Sequence, residues 1–244
     1  MRSTDRLMEA AWLGALLLAG HAAPAAAQAS GPSITVDLLS DDRRRGLSWS
    51  DGDPALRAAV SVPMADGLSL DGVATTLRGS PRHGSADVAA DLGATFTRHL
   101  GGWRLSVDGR YHLFPGASHQ GYGEVGATAG VTLGPASFDL SAHYAPRQSA
   151  IGGDLLYLSA GASAAIPGTA LTLSGHVGRS TGDTRDPVRA ARLRPAGNYW
   201  DHGVALDWYR GRWSAGLRYA DTDIAAPGRA QAGATLVGRV GVSF

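Results

Sequence analysis

The feature that most constrains this chain is an alternation of apolar and polar residues with period two. From Trp103, one set of positions reads Trp103, Leu105, Val107, Gly109, Tyr111, Leu113, and the set between them reads Arg104, Ser106, Asp108, Arg110, His112. Side chains two apart share a face only on a β-strand, so one face is apolar and the other charged. The pattern returns at Val125–Leu133 against Glu124, at Phe138–Tyr144 against Asp139 and His143, at Leu171–Val177, and at Ala234–Phe244 against Arg239. No stretch after residue 30 carries the 3.6-residue period of an amphipathic helix. The alternation predicts about twelve strands, near 33–48, 55–63, 67–77, 86–97, 103–114, 122–133, 136–145, 154–165, 170–180, 199–209, 212–222 and 231–244. Strands of soluble domains typically run about 5–6 residues. A tilted crossing of a hydrocarbon layer needs about 9–11.

The connectors form a second pattern. The short ones are Pro63–Asp66, Arg98–Gly102, Gly134-Pro135, Pro167–Thr169 and Tyr209–Gly211. They alternate with longer ones at Arg78–Ser85, Pro115–Gly121, Pro146–Gly153, Thr181–Asn198 and Asp223–Ala230. The first tip, Ser50–Pro54, is short although its position puts it in the longer set. Outer-membrane barrels have short turns on the periplasmic side and longer loops outside. An even strand number then brings both termini to the short-turn side.

Residues 1–27 read as a signal peptide. Arg2 and Arg6 precede the apolar run Ala10–Gly20, and Ala25-Ala26-Ala27 supplies a small-residue cleavage site before Gln28. The mature barrel is expected to occupy 28–244.

Composition removes competing classes. There is no cysteine, and all 22 basic residues are arginine. Disulfide scaffolds, thiolate metal sites, P-loops, kinase sites and Schiff-base chemistry are excluded. A net charge of +1 gives no field for nucleic acid. A mean hydropathy of −0.07 rules out a bundle of membrane helices but not a barrel, whose alternation dilutes its apolar residues.

Three features favour a barrel in lipid over one in water. Aromatic residues cluster at strand ends: Phe96, Trp103, Trp208 and Trp213 by the short turns, and Phe114, Tyr122, Tyr144, Tyr199, Trp200 and Tyr219 toward the long loops. That is the expected pair of interfacial girdles. The chain stops on the apolar face at Phe244, which we read as an assembly signal offered to the barrel assembly machinery. Glycines, 34 of 244 residues, lie inside strands. There they allow curvature and close packing in a closed wall.

The segment Ser40-Asp41-Asp42-Arg43-Arg44-Arg45-Gly46-Leu47-Ser48-Trp49-Ser50-Asp51-Gly52-Asp53-Pro54-Ala55 resembles the opening motif of the TorF family of porins, S-D-Y-R-F-R-G-I-S-x-S/T-D-G-D-P-A. Asp42 and Arg44 stand where that family carries aromatics, at positions expected to meet the membrane face. Tyr199-Trp200-Asp201, Tyr219–Asp223 and Phe244 extend the resemblance along the mature chain. It implies an all-β outer-membrane barrel of a Gram-negative bacterium and no particular substrate.

The polar faces give the lumen candidates Asp41, Arg43, Arg45, Asp87, Asp91, Arg104, Asp108, Arg110, Glu124, Asp139, His143, Arg218 and Arg239. Two arrangements are open: an anion- or zwitterion-selecting constriction, or a salt-bridge lattice that fills the barrel. The expected function is passive diffusion of small polar solutes or ions. The alternatives are a non-conducting structural or adhesion barrel and an outer-membrane enzyme. No catalytic residue, cofactor or metal is assigned. Gly121–Gly126 matches G-x-G-x-x-G without a following helix, and Asp51-Gly52-Asp53 and Asp221-Thr222-Asp223 read as turns rather than calcium seeds. Expected partners are membrane lipid and lipopolysaccharide, the latter through Arg185, Arg189, Arg192 and Arg194. The oligomeric state is left open.

Overall fold

The computed structural model describes residues 31–225 and 228–244. The expected signal peptide, 1–27, lies outside the described residues. Alternation with period two gives each strand one face that a closed sheet can turn to its interior. The sheet does close, as a twelve-stranded antiparallel barrel. Its strands are β1 (Ser33–Leu39), β4 (Ala55–Ala65), β5 (Leu68–Ser80), β6 (Ala86–Leu100), β7 (Trp103–Leu113), β8 (Tyr122–Leu133), β9 (Ala136–Gln148), β10 (Gly153–Ala165), β11 (Leu171–Thr181), β12 (Tyr199–Arg210), β13 (Trp213–Thr222) and β14 (Thr235–Ser243). A two-stranded ribbon, β2 (Arg43–Arg44) and β3 (Leu47–Ser48), makes a separate sheet.

Each strand pairs with its sequence neighbours, and β1 closes the ring against β14 from Thr35↔Ser243 to Leu39↔Arg239. Phe244 completes the seam: its amide donates to the Ile34 carbonyl at 2.8 Å, and the Ile34 amide donates back at 3.2 Å. Closure matters physically because an open edge in hydrocarbon leaves backbone N–H and C=O groups without partners. Ser33 at the start of β1 and Phe244 after β14 lie at the short-turn end. There Gly134 (φ 61°) and Gly211 (φ 59°) take the left-handed conformation that a two-residue hairpin demands.

The faces fall as the alternation predicts. On β7, Trp103, Leu105, Val107 and Tyr111 are exposed, while Arg110 and His112 are buried. Leu92, Leu140, Leu173, Val204, Leu217 and Leu236 extend the exposed apolar band around the barrel. Phe96, Trp103, Trp208 and Trp213 ring its short-turn edge, and Tyr144, Trp200 and Tyr219 its long-loop edge. Phe114, Tyr122 and Tyr199 do not join the upper girdle. All three are buried, packed inward under the long loops.

The first strand is shorter than its pattern suggests. It ends at Leu39 rather than residue 48, and residues 40–54 turn into the barrel. The first long-end connector is therefore fifteen residues, not the short tip at Ser50–Pro54. The last strand likewise begins at Thr235 rather than 231.

Candidate functional site

The inward segment is a tight hairpin held mainly by itself at its base. Arg43 pairs with Ser48 and Arg44 with Leu47, and the Trp49 amide donates to the Asp42 carbonyl at 2.7 Å. Its turn is Arg45-Gly46, with φ of 51° and 75°. Two positive φ values in sequence give a primed turn, which suits the twist of a two-stranded ribbon. A non-glycine residue there is strained. The Asp41 carboxylate stitches the base, accepting from Ser48 Oγ at 2.6 Å, Ser50 Oγ at 3.0 Å and Arg43 Nε at 2.7 Å.

From this ribbon three consecutive arginines fan out to three parts of the wall. Arg43 donates to the Gly233 carbonyl at 2.9 Å and to Thr235 Oγ1 at 3.0 Å, at the start of β14. Arg44 donates to Asp91 on β6 at 2.8 Å and Thr75 on β5 at 3.3 Å, and its guanidinium lies 3.9 Å from the Trp49 ring. Arg45 donates to Glu124 on β8 at 2.6 Å and stacks over Tyr157 of β10. The Tyr199 hydroxyl on β12 donates to the Arg45 carbonyl at 3.0 Å. Gly46 sits where a side chain would strike Thr222 and, at 2.8 Å, Asp201 Cβ. The ribbon thus crosses the barrel interior from wall to wall. Asp42 and Arg44, expected near the membrane face, are almost fully buried inside it. Asp42 accepts from Arg44 Nε at 3.1 Å and from Arg57 on β4.

The long loops brace the ribbon from above. Trp49 packs on His83 and Phe114, with ring centroids 4.3 and 5.7 Å away, and His83 stacks on Phe114. His83 belongs to the loop between β5 and β6, and burial beside Arg192, Arg44 and Arg82 pushes its pKa down to about 2. Arg192 lies over Phe114 and Tyr122 and bonds the Gln120 carbonyl at 2.8 Å. Arg194 donates to the Gly182 and Asp183 carbonyls, each at 2.7 Å. Of the four loop arginines read as a lipopolysaccharide contact, these two are internal struts. Arg185 and Arg189 are exposed, near Asp183 and Asp186.

Beneath the ribbon lies a cavity of about 290 Å³. Of the lumen candidates, Asp41, Arg43 and Arg45 reach it from the hairpin. Arg104, Asp108, Arg110, Glu124, Asp139 and His143 face it from β7, β8 and β9, and Arg218 and Arg239 from β13 and β14. Asp91 is buried at its upper edge, bonded to Arg44 and to His112 Nδ1 at 2.6 Å. Asp87 touches none of them. It is exposed at the rim, just past the point where the β5–β6 register shifts between Thr76 and Ser80. Asp207, on the polar face of its strand, also lines the cavity, and Asp37, Asp71, Asp201 and Arg57, outside the expected set, occupy inward strand positions as well. The inward strand faces carry eight carboxylates: Asp37, Asp71, Asp91 and Asp108, then Glu124, Asp139, Asp201 and Asp207. They carry five guanidinium groups, on Arg57, Arg104, Arg110, Arg218 and Arg239.

Inward-facing glycines give these charges room, a use separate from curvature. Gly126 on β8 lies in register between Asp108 and His143, and the two meet across it at 3.6 Å. A Cβ at Gly126 would stand 2.5 Å from Asp108 Oδ1 and strike the His143 ring. Gly216 plays the same part for Arg239, which bonds Asp207 at 3.0 Å and Asp37 at 3.1 Å.

The aspartates of the neighbouring turns bond within the chain. Asp51 accepts from Gln231, and Asp221 from the Thr222 amide at 2.9 Å. Among the described residues no three His, Asp or Glu side chains converge as metal ligands. Phe244 is exposed on the apolar face, with the Arg212 guanidinium 5.9 Å from its ring.

Solved structures share the architecture. A KdgM porin superposes with a TM-score of 0.57 at 12% identity, covering 87% of this chain and 98% of its own. A NanC porin gives 0.58 at 12%, covering 88% and 99%. An outer-membrane channel from Pseudomonas putida F1 gives 0.54 at 11%, covering 89% and 97%. At such identities the likeness is one of fold. No curated protein matches the sequence. The family model described as "Bacterial protein of unknown function (Gcw_chp)" matches residues 23–240. The chain therefore belongs to the Gcw_chp family of bacterial proteins.

Proposed function

We propose that this protein is a narrow porin of the bacterial outer membrane, exported with a cleaved leader, whose lumen passes small polar solutes or ions. One observation carries the reading: a closed barrel with an apolar exterior between aromatic girdles encloses a charged cavity of about 290 Å³. An exterior of that kind suits hydrocarbon, and a charged interior suits water. The fold shared with the KdgM and NanC porins supports it. So does the resemblance of residues 40–55 to the opening of the TorF porins. In this reading the ribbon β2–β3 is the constriction, and the wall charges beneath it line the path. Phe244 serves as the assembly signal, and exposed Arg185 and Arg189 face lipopolysaccharide phosphates.

A second reading has its own support. Arg43, Arg44 and Arg45 tie the ribbon to opposite sides of the wall, as a permanent plug would be tied. The barrel would then be structural or adhesive. Neither reading involves catalysis. Planar-bilayer recording separates them: discrete conductance steps are expected, and a correctly folded, heat-modifiable protein that gives no steps would sink the porin reading.

A further inference from the structure

Counted with the ribbon, the side chains that face the cavity include eight arginines and seven carboxylates. The balance matters less than which charges are already engaged. Arg43 holds Asp41, Arg44 and Arg57 hold Asp42, Arg45 holds Glu124, and Arg239 holds both Asp37 and Asp207. Asp108 has His143 at 3.6 Å and Arg110 at 3.9 Å. The other inward acids lie off the cavity with partners of their own: Asp71 accepts from Ser61 and Thr95, Asp91 from Arg44, and Asp201 from Tyr157.

Two guanidinium groups stay unengaged. Arg104 on β7 and Arg218 on β13 make no hydrogen bond or ion pair with any described residue, and their nitrogen atoms remain open to the lumen. Arg104 leans over Gly130, 3.4 Å from where a Cβ would stand. The acid along that row, Asp139, leans the other way, over Gly161 on β10. Arg218 is flanked in register by Ala205 and Val237, whose side chains accept nothing, and its diagonal neighbour Asp207 is taken by Arg239. Strands β7 and β13 stand six apart in a ring of twelve, so the two groups reach in from opposite walls. Neutral hydroxyls line the wall between them. Ser106, two residues above Arg104, aligns with Thr128, Thr128 with Ser141, and Ser141 with Ser159, a row across four strands. On β11, Ser174 is separated from Arg218 only by Ala205. Three acids of the same wall are less available, because Asp108 Oδ2, Glu124 Oε1 and Asp139 Oδ1 are sealed off. The lumen thus offers a solute two whole guanidinium forks and a row of hydroxyls, the donors that a carboxylate accepts from.

We propose that the lumen below the ribbon takes small organic anions bearing carboxylate groups, with Arg104 and Arg218 as the groups that receive them. Passage of such anions rests on the porin reading; their binding does not. The test uses the folded full-length barrel in detergent, with glutarate as the anionic probe and agmatine at matched ionic strength as the cationic one. Glutarate at ten times its half-saturating concentration should raise the thermal midpoint by about 3–6 °C. Agmatine should leave it unchanged. R104Q/R218Q should lose the glutarate shift while remaining heat-modifiable, and R104K/R218K should keep part of it. No glutarate shift, or an equal shift with agmatine, overturns the proposal even if the double variants fail to fold. A full glutarate shift in folded R104Q/R218Q overturns it as well. In bilayers under a KCl gradient, the zero-current potential should show chloride passing about three times as readily as potassium, the effect of one unit charge about 6 Å away through water. Potassium preference overturns the anion site and leaves the porin reading standing. Glutarate binding without conductance overturns the porin reading and leaves the site.

Discussion

Arg44→Ala removes the centre of the hairpin's seat, and its cost follows from what it leaves behind. The Arg44 side chain is 4% exposed and holds Asp91 at 2.8 Å, Asp42 at 3.1 Å and Thr75 at 3.3 Å. Breaking a buried ion pair by deleting one partner costs about 3–5 kcal/mol, because the remaining charge stays buried. Here each orphan keeps a second partner. Asp91 retains His112, and Asp42 retains Arg57. The lower end, about 3 kcal/mol, is therefore expected. For a chain of this size that lowers the thermal midpoint by about 6–12 °C. The assay is the fraction of heat-modifiable protein on unboiled gels against temperature, at one heating time for all variants, since barrel unfolding is commonly irreversible. The double variant Arg44→Met with Asp91→Asn should recover part of the loss, as coupled neighbours do. Bilayer conductance of Arg44→Ala should rise, because the ribbon loses its hold on β5 and β6. A midpoint within 2 °C of the native protein (roughly the shift of half a kcal/mol), with unchanged conductance, would refute the seat.

Three further outcomes are expected. His83 stays neutral in the fold, its pKa near 2, while the unfolded chain takes up a proton below pH 6.5. Stability is therefore lost as pH falls below 6.5, by about 1.4 kcal/mol per pH unit from this group. His83→Phe should flatten the fall of the thermal midpoint between pH 6.5 and 4.5, and parallel curves would contradict it. Gly152→Ala places a Cβ at φ 65°, 2.5 Å from the Ala190 amide nitrogen and against the Asp186 carbonyl. It should destabilise by about 2 kcal/mol and speed proteolytic cleavage within 182–198; unchanged cleavage would argue against this packing. Deleting Phe244 removes both seam hydrogen bonds to Ile34 and should lower the yield of assembled barrel. Normal yield would mean that the terminal residue is no assembly signal.

The lumen candidates were legible wherever a strand is regular. Arg104, Asp108, Arg110, Glu124, Asp139, Arg218 and Arg239 all follow from parity alone, because successive side chains on a strand must point to opposite faces. Parity reaches Asp207 in the same way, and equally Asp37, Asp71, Asp201 and Arg57, each on an inward strand position. It fails at Asp87, where a register shift breaks the pairing. It fails again at Phe114, Tyr122 and Tyr199. Position near a loop suggests an interface, but burial under the loops turns these rings inward.

The sequence by itself determined the number of strands, their faces, the asymmetry of the connectors and hence a closed barrel. Strand number and faces are consequences of a repeat between residues i and i+2, which any local window contains; the connectors add their lengths, and closure follows because an apolar sheet in lipid cannot leave an open edge. The tertiary structure alone decided that residues 40–54 leave the wall and cross the lumen. Asp41, Arg43 and Arg45 alternate as a strand would, so nothing local distinguishes a continuing β1 from an inward ribbon. What fixes the ribbon are partners 31, 47, 79 and 192 residues away: Thr75, Asp91, Glu124 and Thr235. Those partners come within reach of three consecutive arginines only once the barrel has closed around them.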